Sequence, residues 1–175
     1  MKFPPMITEE EIRKKVIELA GDIKRDFIGK EPVFVGILNG CFPFLADLLR
    51  HIDVTCCVDF MRLRSYGAAT ETSGVVEITA ELQRSIVGKD VIVVEDIVDT
   101  GLTMSYLVEN LKTRRPRSMK VCTLLDKPAR RLIDVTLDYV GFIIPDQFVV
   151  GYGLDYDEKY RNIPYITVYE DEKPV

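Results

Sequence analysis

Residues Val91–Thr103 read VIVVEDIVDTGLT. Four β-branched apolar residues open the stretch, Val91-Ile92-Val93-Val94, the pattern of a central strand buried on both faces. The chain then turns acidic at Glu95-Asp96, passes through Asp99-Thr100-Gly101, and spaces its apolar residues as a helix does over Thr103–Leu111. Strand, glycine turn and helix in that order are the beginning of a βαβ unit. An α/β fold with a largely parallel sheet is therefore expected. Ligands of such sheets bind beyond the carboxyl ends of the strands, which is where this turn falls.

The turn has a chemistry of its own. Backbone N–H groups at a helix N-terminus converge on one point and carry partial positive charge, which suits a phosphate. Gly101 lets the backbone approach such an anion closely, and the hydroxyls of Thr100 and Thr103 add donors. Glu95, Asp96 and Asp99 would repel a phosphate unless they serve other parts of the ligand. Two adjacent acids can accept hydrogen bonds from a sugar diol, or hold Mg²⁺ directly or through its waters. Asp99, one turn further on, is then free for proton transfer. The ligand this implies is a phosphorylated sugar with vicinal hydroxyls, together with a divalent cation. The plainer alternative is an ordinary strand–turn–helix junction with Asp99 or Thr103 as its N-cap.

Working outward, Thr8-Glu9-Glu10-Glu11 has the form of a capping box, and Ile12, Val16, Leu19, Ala20 and Ile23 follow at helical spacing. Val33–Leu38 reads as a buried strand ending at Asn39-Gly40, and Pro43 suits the first turn of a helix through Leu48-Leu49. Further strands are expected at Val54–Met61, Val75–Thr79 and Lys120–Leu125, with shorter ones at Phe142–Ile144, Phe148–Val150 and Ile166–Val168. Ser65–Gly74 is small and polar and reads as a loop.

Composition sets the outer limits. A chain of 175 residues, 47% hydrophobic and 29% charged, has the length of one domain with a sizeable core. Lys plus Arg number 23 against 28 Asp plus Glu, and the net charge of −5 disfavours nucleic-acid phosphates. Cys41, Cys56, Cys57 and Cys122 make no C-x-x-C pair and His51 is the only histidine. A zinc site or a histidine-based triad is accordingly not expected, and acid–base chemistry falls to carboxylates, lysine or tyrosine. No apolar run approaches the ~18 residues of a membrane helix. The opening MKFPPMITEEEIRKK lacks an apolar stretch, so a cytoplasmic protein is expected.

The unit strand–ED–x-x–DTG-x-T resembles the phosphoribosyl-pyrophosphate signature of the purine phosphoribosyltransferases, with the strongest likeness to the hypoxanthine-guanine branch. The likeness runs from about Gly36 to Pro164 and is carried by Gly36–Leu49, Ser65–Gly74, Glu95–Thr103 and Phe142–Arg161. It implies the type I phosphoribosyltransferase fold: a twisted, mostly parallel sheet flanked by helices, one domain over residues 1–175, with terminal segments forming a small hood over the base. The activity implied is Mg²⁺-dependent transfer of 5-phosphoribosyl from 5-phosphoribosyl 1-pyrophosphate to N9 of hypoxanthine or guanine. The products are IMP or GMP and pyrophosphate, a purine-salvage reaction.

The same resemblance implies residue roles. Glu95 and Asp96 match the acids at the ribose hydroxyls and the metal, and Asp99 matches the acid that exchanges a proton with the base at N7. The backbone of Asp99, Thr100, Gly101, Leu102 and Thr103 matches the 5′-phosphate loop. Lys127 matches the donor to the 6-oxo group, which selects oxopurines over adenine. Phe148 matches the ring stacked on the purine, Val149 the backbone reading its edge, and Asp155 a carboxylate of the purine site that also holds a second Mg²⁺. Asn39, Gly40, Ser65, Tyr66 and Arg161 match the pyrophosphate contacts, with Ser65–Gly74 as a lid that excludes water.

Two positions depart from the family pattern: Asn39 and Gln147 stand where lysine is common. Family members carry a cis peptide in the turn at Asn39, whereas Asn-Gly by itself also suits a hairpin. Small-molecule substrates and a homodimer or homotetramer are implied, with neither nucleic acid nor membrane as partner. Two rival readings differ in class. One is a nucleotide-sensing regulator that binds nucleic acid through Lys112, Arg114, Arg115, Arg117 and Lys120, although those cations also suit a helix end. The other is a phosphotransfer enzyme or phosphatase using Asp96 or Asp99 as nucleophile, which leaves Lys127 and Phe148–Asp155 without a role.

Overall fold

The Thr8 side chain accepts a hydrogen bond from the Glu11 backbone N–H at 3.2 Å, and the Glu11 carboxylate accepts one from the Thr8 N–H at 2.8 Å. This capping box starts α1 (Glu9–Asp26), whose Ile12, Val16, Leu19, Ala20 and Ile23 are all buried, as their spacing predicts. The computed structural model describes residues 4–68 and 71–170, and the side chains of all of these except 65–68 and 71–75. In chain order the elements after α1 are β1 (Val33–Leu38), α2 (Phe42–Arg50), β2 (Cys57–Ala68), β3 (Glu71–Ala80), β4 (Asp90–Val98), α3 (Leu102–Thr113), β5 (Ser118–Asp126), β6 (Tyr139–Ile143), β7 (Val149–Val150) and β8 (Thr167–Val168).

Six strands form one sheet in the order β3-β2-β1-β4-β5-β6, parallel throughout except for the β2–β3 pair, and β7 and β8 form a separate antiparallel pair. The expected α/β architecture is the one observed. Strand β4 shows how the sheet is clothed. Ile92 and Val94 join one core with α1, α2 and Phe34, while Val91 and Val93 join the other with Leu107 and Leu111 of α3. Alternate residues thus feed opposite layers, which is why the strand reads as an unbroken apolar run. Each such side chain contributes roughly 1.5–3 kcal/mol of burial.

The second small sheet is tied to the chain start. Ile7 N–H donates to Ile166 O at 3.1 Å, Ile166 N–H donates back at 3.0 Å, and the Thr167 hydroxyl donates to Pro4 O at 2.6 Å.

Three expectations need correction. Ser65–Gly74 is not a loop along its described backbone. Ser65–Ala68 continues β2 and residues 71–74 belong to β3, paired as Ser65↔Val76, Tyr66↔Val75, Gly67↔Thr72 and Ala68↔Glu71. A hairpin satisfies its backbone groups across the ladder whether or not its side chains are apolar, so small polar residues gave no strand pattern to detect. Strand β2 begins at Cys57 rather than Val54. Strand β4 does not stop before the acids either. It runs on to Val98, with Glu95 paired to Thr123 of β5, because a ladder of main-chain bonds tolerates a buried carboxylate at its end.

Candidate active site

Strands β1 and β4 are neighbours and parallel, so both open at the same edge of the sheet. Strand β1 ends in a cis peptide between Leu38 and Asn39, and α2 follows, so the Asn-Gly pair is a strand-to-helix turn and not a hairpin. Gly40 lies hard against Asp96: a Cβ at this position would sit 1.6 Å from Asp96 Oδ2. From the other side Gly153 presses on Gly40, since a Cβ on Gly153 would meet Gly40 O at 2.0 Å. The three chain segments close on one point only because two of the residues lack side chains.

Glu95 is buried and Asp96 is beside it, with the Asp96 N–H donating to Glu95 Oε1 at 3.2 Å. Burial pushes the Glu95 carboxyl well above its usual range, and the Asp96 charge adds to this. Asp96 is raised for the same first reason, with Arg161 acting in opposition. A cation or a pair of hydroxyl donors at this edge would relieve both groups.

The turn after β4 is held from behind. Thr100 O accepts from the N–H groups of Leu132 (2.9 Å) and Ile133 (3.1 Å), and Asp99 O accepts from Arg131 Nε at 3.0 Å. Arg131 is itself fixed to Asp126. With its carbonyls engaged on that side, the turn presents its N–H groups at the start of α3. The helix begins at Gly101, φ +84°, with no side-chain cap, so neither Asp99 nor Thr103 is the N-cap. Leu102 N–H makes only a long contact, 3.4 Å, to Thr100 Oγ1, and Thr103 lies in the first helical turn. N–H groups left open at a helix start are what an anion nest requires.

Asp99 is half-buried, and its Oδ1 is enclosed with no hydrogen-bond partner. Its Oδ2 lies 3.9 Å from Lys127 Nζ and 3.5 Å from an Arg130 nitrogen. Lys127 is buried, 5% exposed, and also faces Asp146 at 3.8 Å. A surface lysine is the usual expectation for a lone Lys, and burial removes it here. Arg130, Arg131 and Asp146 were not singled out from the sequence. Three cations within Lys127–Arg131 of a net-negative chain are the signal that could have found two of them.

Phe148 is 50% exposed and stands edge-on to Tyr156 (5.8 Å) and Tyr169 (6.1 Å), while Val149 beside it is buried in β7. Arg161 donates to Gly153 O at 2.8 Å and pairs with Asp155 at 2.9 Å, so these two meet next to the Gly40–Asp96 contact. Ser65 and Tyr66 are strand residues in their backbone, and their side chains lie outside the described set. Four of the five cations of the basic cluster are matched by acids: Lys112 with Glu109, Arg114 with Glu81, Arg117 with Asp90 and Lys120 with Asp26. Such pairing leaves little net positive field for a nucleic acid.

Residues 6–157 match the phosphoribosyl transferase domain, and the chain belongs to that family. Within it, the kinship narrows. The hypoxanthine-guanine phosphoribosyltransferase of Bacillus subtilis is 51% identical over 163 residues, spanning 93% of this chain and 91% of that protein. A crystal structure of a hypoxanthine-guanine phosphoribosyltransferase from Bacillus anthracis, with a HEPES molecule in its active site, superposes with a TM-score of 0.91. Their sequences are 50% identical, and the match covers 95% of this chain and 98% of that one. A hypoxanthine phosphoribosyltransferase from Staphylococcus aureus gives the same TM-score at 46% identity, over 95% and 91% of the two chains.

Proposed function

We infer that the chain is a purine-salvage transferase of the hypoxanthine-guanine type, moving 5-phosphoribosyl from its 1-pyrophosphate to N9 of a 6-oxopurine. Relatives near half identity over nearly the whole chain support that activity, and the pairing of a buried Lys127 with the unpartnered Asp99 Oδ1 gives it chemistry. An ammonium donates and cannot accept, so it favours a 6-oxo group over a 6-amino group. Asp99 Oδ1, enclosed and unbonded, is placed to take a hydrogen bond or proton from the imidazole edge of the base. The turn from Thr100 to Thr103 grips the 5′-phosphate and Glu95 with Asp96 takes the ribose diol. Phe148 offers a ring face to the purine, beside the Val149 backbone.

Mg²⁺ fits this donor set. Among the described residues no cluster of three potential ligands occurs, and Mg²⁺ characteristically takes one or two carboxylates and completes its shell with water and substrate phosphate. Glu95 and Asp96 would hold one ion and Asp155 a second, where it neutralises the pyrophosphate leaving group. Asn39, Gly40, Ser65, Tyr66 and Arg161 complete the pyrophosphate side. The proposal extends to a single domain over residues 1–175 with a hood built from its terminal segments, and the Ile7–Ile166 bridge is consistent with it. It also extends to a cytoplasmic homodimer or homotetramer, for which exposed Phe42, Val58 and Phe60 on α2 and β2 offer apolar surface. No described helix is long and apolar enough to cross a membrane. Nothing favours the nucleic-acid-binding regulator.

Initial rates with hypoxanthine, guanine, xanthine and adenine, with and without Mg²⁺, test the reading directly. Asp99→Asn should lower kcat by roughly 10²-fold or more, while nucleotide affinity changes far less. Unchanged turnover in that variant removes Asp99 from proton transfer.

A further inference from the structure

We propose that Arg62, on β2, is a pyrophosphate-binding residue that works as a pair with Asn39. This rests on the transferase reading above and adds a residue to it. The turn Asn39-Gly40 carries no charged side chain, yet it borders Asp96, whose carboxylate packs against Gly40. A polyanion brought to that turn meets an acid and needs a cation from elsewhere. The register supplies one. In the parallel β1–β2 pair Leu38 stands opposite Arg62, so the guanidinium emerges at the site edge of the sheet, level with the turn.

Arg62 Nη2 donates to Asn39 Oδ1 at 2.8 Å. A guanidinium has no acceptor, so the bonded Asn39 atom is the oxygen and the amide Nδ2 is left to donate outward. The pair therefore presents an amide and the remaining guanidinium N–H groups together. A second guanidinium is held close to Gly40. Gly153 packs on the Gly40 carbonyl, and Arg161 donates to Gly153 O at 2.8 Å. Two guanidinium groups thus approach the same turn, one through Asn39 and the other through Gly153. Arg62 is exposed, and no ion pair joins it to another side chain among the described residues.

The test separates substrates. Arg62→Ala should raise the KM for 5-phosphoribosyl 1-pyrophosphate about tenfold or more, the order expected when one charge-assisted hydrogen bond is lost. The KM for hypoxanthine should stay within about twofold, and inhibition by product pyrophosphate should weaken in step. Arg62→Gln, which keeps a donor for Asn39 but no charge, should behave like alanine, and Arg62→Lys should regain part of the loss. Gln also covers the case in which alanine loosens β2. Donor KM and pyrophosphate inhibition both within twofold of wild type, or the two KM values rising together, would overturn the assignment. Calorimetric titration of wild type and Arg62→Gln with magnesium pyrophosphate reads Arg62 without turnover. An inactive wild type that still binds pyrophosphate through Arg62 would sink the transferase reading and spare this one. Equal binding by the two proteins sinks this one.

Discussion

Lys127 shows what a single residue contributes when its surroundings are known. With 5% of its surface exposed, it lies between Asp99 and Asp146 at 3.9 and 3.8 Å, a buried cation whose charge is balanced from two sides. Replacing it with methionine keeps the volume and removes the donor. Lys127→Met should lower kcat/KM for hypoxanthine about 10–100-fold, as expected when a buried polar contact to substrate is lost, and narrow the preference over adenine. Steady-state rates on both bases check this, and an unchanged ratio would mean that the 6-position is read elsewhere. Sequence alone assigned Lys127 only through family likeness, because no periodicity distinguishes a buried lysine from a solvated one. Asp146 escaped for the same reason, and the cation run that includes Arg130 did not say what Arg130 faces. Their roles depend on a convergence of the η1 turn (Pro128–Arg130) and the 144–148 segment that pattern cannot show.

At the scale of elements, legibility tracked how much of an element's pattern is set by burial. The first helix, β1 and the second helix were readable because a cap, an apolar run and an early proline each leave a local mark. The 65–74 part of the β2–β3 arm was not, since its small polar residues carry no alternation, whereas the two-residue strands β7 and β8 fall inside the expected Phe148–Val150 and Ile166–Val168. The strand–turn–helix unit was the most readable of all, and its glycine makes a sharp prediction. Gly101 has φ +84°, and a Cβ there would lie 2.2 Å from Ile133 O, a backbone atom that cannot swing aside. Gly101→Ala should cost roughly 1–3 kcal/mol, lowering the melting temperature by about 2–10 °C for a domain of this size. It should also raise the donor KM, because the N–H groups proposed to grip the 5′-phosphate move with the turn. An unaltered melting curve would show that the 131–133 brace yields more easily than its hydrogen bonds to Thr100 and Asp99 suggest.

On the proposed function, the ligand is divided between two parts of the molecule. The six-stranded sheet supplies the phosphate turn, the acid pair and Asp99, whereas Phe148 and Val149 stand at the small β7–β8 sheet. That sheet has only two ladder pairs of its own, so its stability depends on what it is fastened to. Much of the fastening comes from the chain start. Met6 and Ile7 donate to Ile166 O at 2.8 and 3.1 Å, the Ile7 side chain is buried in the core shared with Val149 and Ile166, and Thr167 reaches Pro4. Deleting residues 1–7 should therefore loosen the base side of the site while leaving the phosphoribosyl side in place. Hydrogen exchange should accelerate first at Val149, Val150 and Ile166–Val168, with protection in β1 and β4 retained. The hypoxanthine KM should rise several-fold more than the donor KM, since ordering the hood would then draw on base-binding energy. Exchange that speeds up uniformly, or a donor KM that rises as far as the base KM, would mean that sheet and hood open as one unit.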